Sequence, residues 1–460
     1  MRFETETIAA IATAMSNSGI GIIRISGDDA INIADKIFKS VKQGKKLKDV
    51  KSHTVHFGHI AEEDNVIDEV LVTVMKAPNT YTREDVVEIN CHGGVVVLKR
   101  VLELVLKNGA RPAEAGEFTK RAFLNGRIDL SQAEAVIDVI NAKNEYSLSN
   151  SISQLRGKIS DKIKNIRADI LNQIAYIEAT LDDPEHMSFD GYDEKLMEIT
   201  DKILDKLKKL IESADNGRVI SEGINTVILG KPNAGKSSFL NAVLGAERAI
   251  VTDIEGTTRD AIEEHINIHG ISLNIIDTAG IRDTEDVVEK IGVNKAKELA
   301  AEADLIIYII DSSKPIDNND REIMELIKNR KSIILFNKSD LEAVVGKKDI
   351  DVSESTPVIN ISAKHQLGID EFENAIKNLF FNGEIKFNDE VYITNARQKN
   401  DIRQGFESMK LVKKSIEYGM PEDFFTIDLM NAYEVLGRVI GESVEDDLAD
   451  KIFREFCMGK

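Results

Sequence analysis

The chain has 460 residues, 42% of them hydrophobic and 30% charged, with a net charge of −20. That length exceeds what one hydrophobic core usually supports, so two or three domains are expected. Two cysteines exclude a disulfide framework, and no run approaches about 18 consecutive apolar residues. The acidic balance speaks against wrapping nucleic acid by charge alone, although a local basic surface can hide in the average.

The first residues, MRFETETIAAIATAM, lack a basic-then-apolar signal pattern, so the expected setting is the reducing cytoplasm, away from membranes. Residues 1–117 mix β-patterned runs, GIGIIRIS, DEVLVTVM and DVVEIN, with turn-rich breaks at APNTYT and CHGG, which predicts an α+β domain. Cys91, in NCHGG, reads as a small buried hydrophobe. From 118 to 216 the period becomes helical. Ile159, Ile163, Ile166, Ile170, Ile174, Ile177 and Leu181 recur at spacings of three and four, as do Leu196, Ile199, Ile203, Leu207 and Leu210. Two long amphipathic helices are predicted, separated by DDPEHMSFDGYD and packed helix on helix within one bundle. Across 217–383 the runs INTVIL, SLNIID, DLIIYIID, SIILFN and PVINIS alternate with helical stretches, the pattern of a doubly wound, largely parallel sheet. Residues 384–460 return to helical periodicity, so the α/β unit is read as an insertion in a helical domain made from both flanks.

The insertion carries the most specific motif. GKPNAGKSS places Gly230, Gly235, Lys236 and Ser237 in phosphate-loop spacing between a predicted strand and a predicted helix, with Asn233, Ala234 and Ser238 in the same loop. Glycines let backbone N–H groups converge on phosphate, Lys236 reaches the outer phosphates and the Ser237 hydroxyl suits magnesium. GTTRD supplies Thr257 and Thr258, and DTAG, Asp277, Thr278, Ala279 and Gly280, supplies a magnesium-side carboxylate and a glycine that senses the terminal phosphate. NKSD ends another strand, where the Asp340 carboxylate accepts from the ring N–H and exocyclic amino group of guanine, donors that adenine does not pair this way. Asn337 and Lys338 steady the base and the loop, and Ser362, Ala363 and Lys364 present a backbone N–H to the guanine keto oxygen. Five motifs in this order on five strand ends predict a GTP-binding domain.

Where Ras-like enzymes carry a water-orienting glutamine after the DTAG glycine, this chain has Ile281, which offers no side-chain hydrogen bond. Hydrolysis is therefore expected to be organised differently, with a monovalent cation on Asn233 able to neutralise the developing charge.

These motifs, with a helical flank on each side and the terminal CMGK, resemble the MnmE (TrmE) family of tRNA modification GTPases over essentially the whole chain. The resemblance implies a multidomain fold with an α+β folate-binding-like domain, an α-helical bundle and an inserted Ras-like GTPase domain. It implies potassium-dependent dimerisation of the GTPase domains, with Asn233, Thr252, Ile254 and Thr257 around K+ and Ser237 and Thr258 on Mg2+. Asp253, Glu255 and Gly256 then join the GTP-binding loop, and Glu289 orients the hydrolytic water, although from the residues alone it is an ordinary surface acid. The same resemblance implies a homodimer that binds 5-formyltetrahydrofolate through Arg24, Glu88, Arg127 and Lys460; without it, Arg24 and Glu88 read as an ordinary ion pair. Many relatives have lysine where Arg127 stands. It further implies a heterotetrameric or larger complex with the flavoprotein MnmG (GidA), which carries FAD, acting on carbon 5 of the wobble uridine of certain tRNAs, with Lys236, Glu289 and Cys457 as reactive groups. The runner-up expectation is a GTP-switched, RNA-binding ribosome-assembly factor, against which stand the acidic balance and the lack of an appended RNA-binding motif.

Overall fold

A computed structural model describes residues 6–42, 44–245, 264–268, 271–276, 300–301, 303–328, 330–381, 392–442, 452–453, 456 and 459. Two compact units divide the chain: residues 1–137, 154–188 and 422–460 form the first, and 138–153 with 189–421 the second.

In the first unit, β1 (Ile8–Ile11), β2 (Ser18–Ser26), β3 (Phe38–Ser40), β4 (Thr54–Glu62), β5 (Asn65–Met75), β6 (Val86–Gly93) and β7 (Arg111–Pro112) form one sheet in the order β3-β4-β5-β6-β2-β1-β7. Every pairing is antiparallel except β1 with β7. Inward residues alternate along the strands, as an antiparallel sheet with one covered face requires: Val70, Val72 and Val74 of β5 are buried, whereas Leu71 is exposed. Helices α1 (Ala30–Ile37) and α2 (Val95–Lys107) close that face through Ile33, Ile37, Leu98 and Val101. Cys91 lies in this core, in agreement with its reading as a small hydrophobe, and its thiol donates to the Gly21 carbonyl at 3.4 Å.

Helices α3 (Glu117–Leu124) and α4 (Leu130–Asn141) follow, and Ala122, Leu130 and Ala133 cluster with Phe453 and Phe456 from the end of the chain. α5 (Glu145–Leu155) links the two units in sequence. The two long stripes form α6 (Lys158–Asp182) and α7 (Tyr192–Glu222), with the predicted break between them. Ile159, Ile163, Ile170 and Ile177 are fully buried, each contributing about 1.5–3 kcal/mol of apolar transfer. The expectation of one shared bundle is refined. Within the first unit α6 packs on α12 (Glu422–Ile440), and within the second α7 packs on α11 (Ala396–Glu417). A stripe at helical period states that a face must be covered, not by which helix. The α6 stripe also ends at Ile177, because Leu181 is exposed.

In the second unit, β8 (Ile224–Leu229), β9 (Glu264–Ile268), β10 (Ile271–Ile275), β11 (Leu305–Asp311), β12 (Ser332–Asn337) and β13 (Val358–Asn360) give the order β13-β12-β11-β8-β10-β9. All neighbours are parallel apart from β9, an antiparallel edge strand that no run in the sequence reading anticipated. Every residue of β11 and β12 is buried, the continuous apolar signature of a parallel sheet covered on both faces. Among the described residues, helices α8 (Lys236–Gly245), α9 (Asn318–Ile327) and α10 (Ile369–Phe381) cover the sheet, and β8 lies between β10 and β11, where the strand order reverses. Ligands of such sheets sit beyond the strand carboxyl ends at that reversal.

Candidate functional site

β8 ends there in the phosphate loop, which leads directly into the first turn of α8. Gly230, Asn233 and Gly235 have φ of 154°, 63° and 98°, a positive-φ backbone of the kind that phosphate-binding loops use. At Gly235 the requirement for glycine is twofold: φ is left-handed, and a methyl group would collide with the Asn337 side-chain nitrogen. Lys236 is partly buried, its Nζ donating to the carbonyls of Gly230 at 2.8 Å and Lys231 at 3.0 Å. Burial lowers its pKa. The Asn233 side chain is exposed on the same loop.

Asn337 ties the motifs together. At 3% exposure, its Nδ2 donates to the Ala234 carbonyl at 2.9 Å and its Oδ1 accepts from the Ala363 N–H at 3.1 Å. One amide therefore brackets the phosphate loop, the end of β12 and the loop after β13. Asp340 lies beside it: Ser362 Oγ donates to Oδ1 at 2.6 Å and His365 Nε2 stands 3.9 Å from Oδ2. The Ser362 hydrogen bond is the main reason the Asp340 carboxyl titrates below its ordinary value, keeping it an acceptor. Lys338, at φ 66°, pairs with Asp311 Oδ2 at 2.6 Å. Burial alone would raise Asp311, but hydrogen bonds from Lys338 and Ser313 outweigh it and leave that carboxyl low.

Beneath the loop, Lys231 Nζ meets Asp320 at 2.5 Å and Asp317 at 2.7 Å, and the buried Tyr308 hydroxyl donates to Asp320 at 2.6 Å. Asp317 and Asp320 also form the capping box of α9, so this ion pair fastens the loop to a helix end. Sequence reading missed Asp311, Asp317, Asp320 and His365. Only Asp311 left a signal, as the acid closing the buried run DLIIYIID.

The chemistry of the donors fits a nucleotide. A glycine-rich loop at a helix amino terminus suits phosphates, a low-pKa carboxylate suits paired base donors, and Ser237 in the first turn of α8 suits magnesium. Thr252, Asp253, Ile254, Glu255, Gly256, Thr257, Thr258, Asp277, Thr278, Ala279, Gly280, Ile281, Glu289, Cys457 and Lys460 lie outside the described residues.

A second constellation occupies the first unit. Arg24 and Glu88 are cross-strand partners on β2 and β6, with Arg24 Nε 2.9 Å from Glu88 Oε1. Arg24 also donates to the Gly459 carbonyl at 3.0 Å and stacks at 5.7 Å from the Tyr81 ring, whose other neighbour is Arg127 at 4.7 Å. Gly459 has φ 89°, and a methyl group there would overlap the Ile11 carbonyl, so the Gly of CMGK is seated against β1. Arg24 and Arg127, named from sequence, thus meet at Tyr81, which sequence reading did not name, and Glu88 joins them through Arg24. Glu88 is already paired, whereas Arg127 is exposed and has no ion pair among the described residues, so an anionic group fits best at Arg127.

Residues 7–127 match the family description GTP-binding protein TrmE N-terminus, and residues 130–457 match MnmE helical domain. A protein named tRNA modification GTPase MnmE from Lachnoclostridium phytofermentans is 58% identical over 99% of this chain and 100% of its own length. This chain belongs to the MnmE family. An MnmE from Acetivibrio thermocellus is 52% identical over the full length of both chains, and one from Clostridioides difficile is 48% identical, again over both full lengths. Among solved structures, the G domain of the T. maritima FeoB iron transporter is 22% identical over 34% of this chain and 98% of that one, with a TM-score of 0.26. Within the described residues of this MnmE-family chain, no helix is long and apolar enough to cross a membrane.

Proposed function

We propose that this chain is a GTP hydrolase of tRNA modification that works in the cytoplasm as a homodimer and, with the flavoprotein MnmG and its FAD, modifies carbon 5 of the wobble uridine of certain tRNAs. The observation that carries the nucleotide half is the Asn337 side chain bridging the phosphate loop and the Ala363 loop beside the Ser362-held Asp340 carboxylate. Family membership over the full chain supports the tRNA half.

In this mechanism Asp340 accepts from the guanine ring N–H and amino group, the Ala363 loop donates to the keto oxygen, and Lys236 exchanges two backbone carbonyls for phosphate oxygens. Bound Mg2+, on Ser237 and Thr258, and K+, on Asn233, Thr252, Ile254 and Thr257, would supply positive charge where the transferring phosphoryl gathers negative charge. Glu289 orients the water in place of the side chain that Ile281 lacks. Arg127 and the Arg24–Glu88 pair, with Lys460, receive 5-formyltetrahydrofolate, and Cys457 serves the tRNA chemistry. The domain division proposed with this function is 1–117, 118–216 with 384–460, and the inserted 217–383.

Two measurements test it together. Hydrolysis by the purified protein should be several-fold faster in KCl than in NaCl at equal ionic strength, and Asn233→Ala should erase the difference. Nucleoside analysis of tRNA from cells lacking the chain should show loss of the wobble-uridine modification. Equal rates in both salts would remove the cation from the mechanism, and unaltered tRNA would remove the modification role.

A further inference from the structure

The basic surface that the average charge could conceal exists in the first unit. Residues 39–51, KSVKQGKKLKDVK, contain six lysines against one aspartate, in a chain whose net charge is −20. Lys42, Lys45, Lys46, Lys48 and Lys51 are all exposed, and among the described residues only Lys46 has a carboxylate within ion-pair distance, Asp35 at 4.0 Å.

The segment is built, not draped. Leu47 is fully buried at its centre, and its N–H donates to Asp35 Oδ1 at 2.5 Å. Lys76 reaches in to donate to the Lys48 carbonyl at 3.1 Å. The buried His56 completes the support: Lys45 Nζ lies 2.7 Å from Nδ1, Thr54 Oγ1 lies 2.8 Å from Nε2, and Thr54 Oγ1 donates to the Lys51 carbonyl at 2.6 Å. Burial first, then the neighbouring Lys45, lowers the pKa of His56, so the ring is neutral near pH 7 and accepts from the ammonium. These contacts rim an open cavity of about 530 Å³, where Lys42, Lys45, Lys46 and Lys51 line the wall with one acid, Asp49, and the ring of His56. Lysines set along a supported rim in excess over the local acids Asp35 and Asp49, on an otherwise acidic molecule, form an electrostatic footprint for an extended polyanion. A phosphodiester backbone presents charge at regular spacing to such a row, and releasing its condensed counterions favours binding.

We propose that the Lys42–Lys51 segment and the cavity beside it form a phosphate-contacting surface for structured RNA, and, resting on the tRNA-modification reading above, for the backbone of tRNA. The segment lies in a different unit from the guanine-nucleotide motifs, so it adds RNA affinity without entering hydrolysis.

The test is the salt dependence of tRNA binding by the full chain, measured by fluorescence anisotropy between about 50 and about 200 mM KCl. The variant K42Q/K46Q/K51Q leaves the Lys45–His56 contact intact. It should bind about tenfold or more weakly, with the log–log salt slope flatter by about two to three, roughly one per lost phosphate contact. GTP hydrolysis should be unchanged, and K42R/K46R/K51R should restore the slope. Matched Gln substitutions at Lys202, Lys208 and Lys209 on α7 should have little effect. An unchanged slope in the triple Gln variant overturns the proposal, as does an equal loss in the α7 control, which would indicate bulk charge. Wild-type protein that ignores tRNA but binds phosphatidylserine–phosphatidylcholine vesicles or polyglutamate through these lysines overturns it too. The nucleoside analysis of cellular tRNA reports separately on the modification reading, so a failed surface and a failed function give different results.

Discussion

Removing the Asn337 side chain should separate the nucleotide loops from one another. In Asn337→Ala the Ala234 carbonyl and the Ala363 N–H both lose their partner, and those residues are only 2% and 6% exposed. A buried group left unpaired costs about 1–3 kcal/mol, so the pair costs about 2–6 kcal/mol, and water entering from the adjoining loops recovers part of it. A loss of about 2–4 kcal/mol is expected in the second unit. If that bracing is needed to hold the bound geometry, nucleotide affinity falls by roughly thirty- to several-hundredfold. The assay pairs titration with fluorescent GDP and hydrogen exchange at the phosphate-loop and Ala363 amides, because one unfolding midpoint is ill-defined for a multidomain chain. Asn337→Asp keeps an acceptor for Ala363 but sets a buried carboxylate oxygen against the Ala234 carbonyl, and should be at least as damaging as alanine. Gly235→Ala, harmful in the wild type, should cost less in the Asn337→Ala background because the colliding nitrogen is gone, leaving only the φ strain. Unchanged affinity and unchanged exchange in Asn337→Ala would refute the bracing.

Asp340→Asn should weaken GTP by about two powers of ten and rescue xanthosine nucleotides, because Ser362 pins one oxygen and turns the new N–H₂ toward the base; equal GTP affinity by titration would contradict it. Glu289→Ala should slow hydrolysis while leaving nucleotide affinity nearly intact, and a matching fall in affinity would instead mark a binding residue. Cys457→Ser should retain GTP hydrolysis and abolish wobble-uridine modification, measured by rate assay and nucleoside analysis; normal modification would make the thiol dispensable. Cys91 should resist iodoacetamide up to about pH 9 and react on unfolding, because burial pushes its thiol up to about 11 and leaves almost no thiolate; rapid native alkylation would show the core to be open.

The nucleotide motifs were legible because each is local. A phosphate loop needs its glycines, lysine and hydroxyl within nine consecutive residues, and NKSD and SAK each close one strand, so spacing alone exposes them. Their supports were not. Lys338 with Asp311 and Lys231 with Asp320 join residues 27 and 89 positions apart, separations over which sequence carries no pairing rule.

The sequence by itself determined strand and helix periodicity, the β11 and β12 runs buried on both faces, and the place of the carboxylate proposed to select guanine, because side-chain period and motif spacing are properties of neighbouring residues. Tertiary structure alone decided that α6 covers itself with α12 and α7 with α11, that Gly459 seats against β1 under Arg24, and that Lys42, Lys45, Lys46 and Lys51 line a supported rim instead of a solvated tail. The physical reason is that an apolar stripe, a small residue or a run of charge states only what must be satisfied, whereas packing and strand register select which distant group satisfies it.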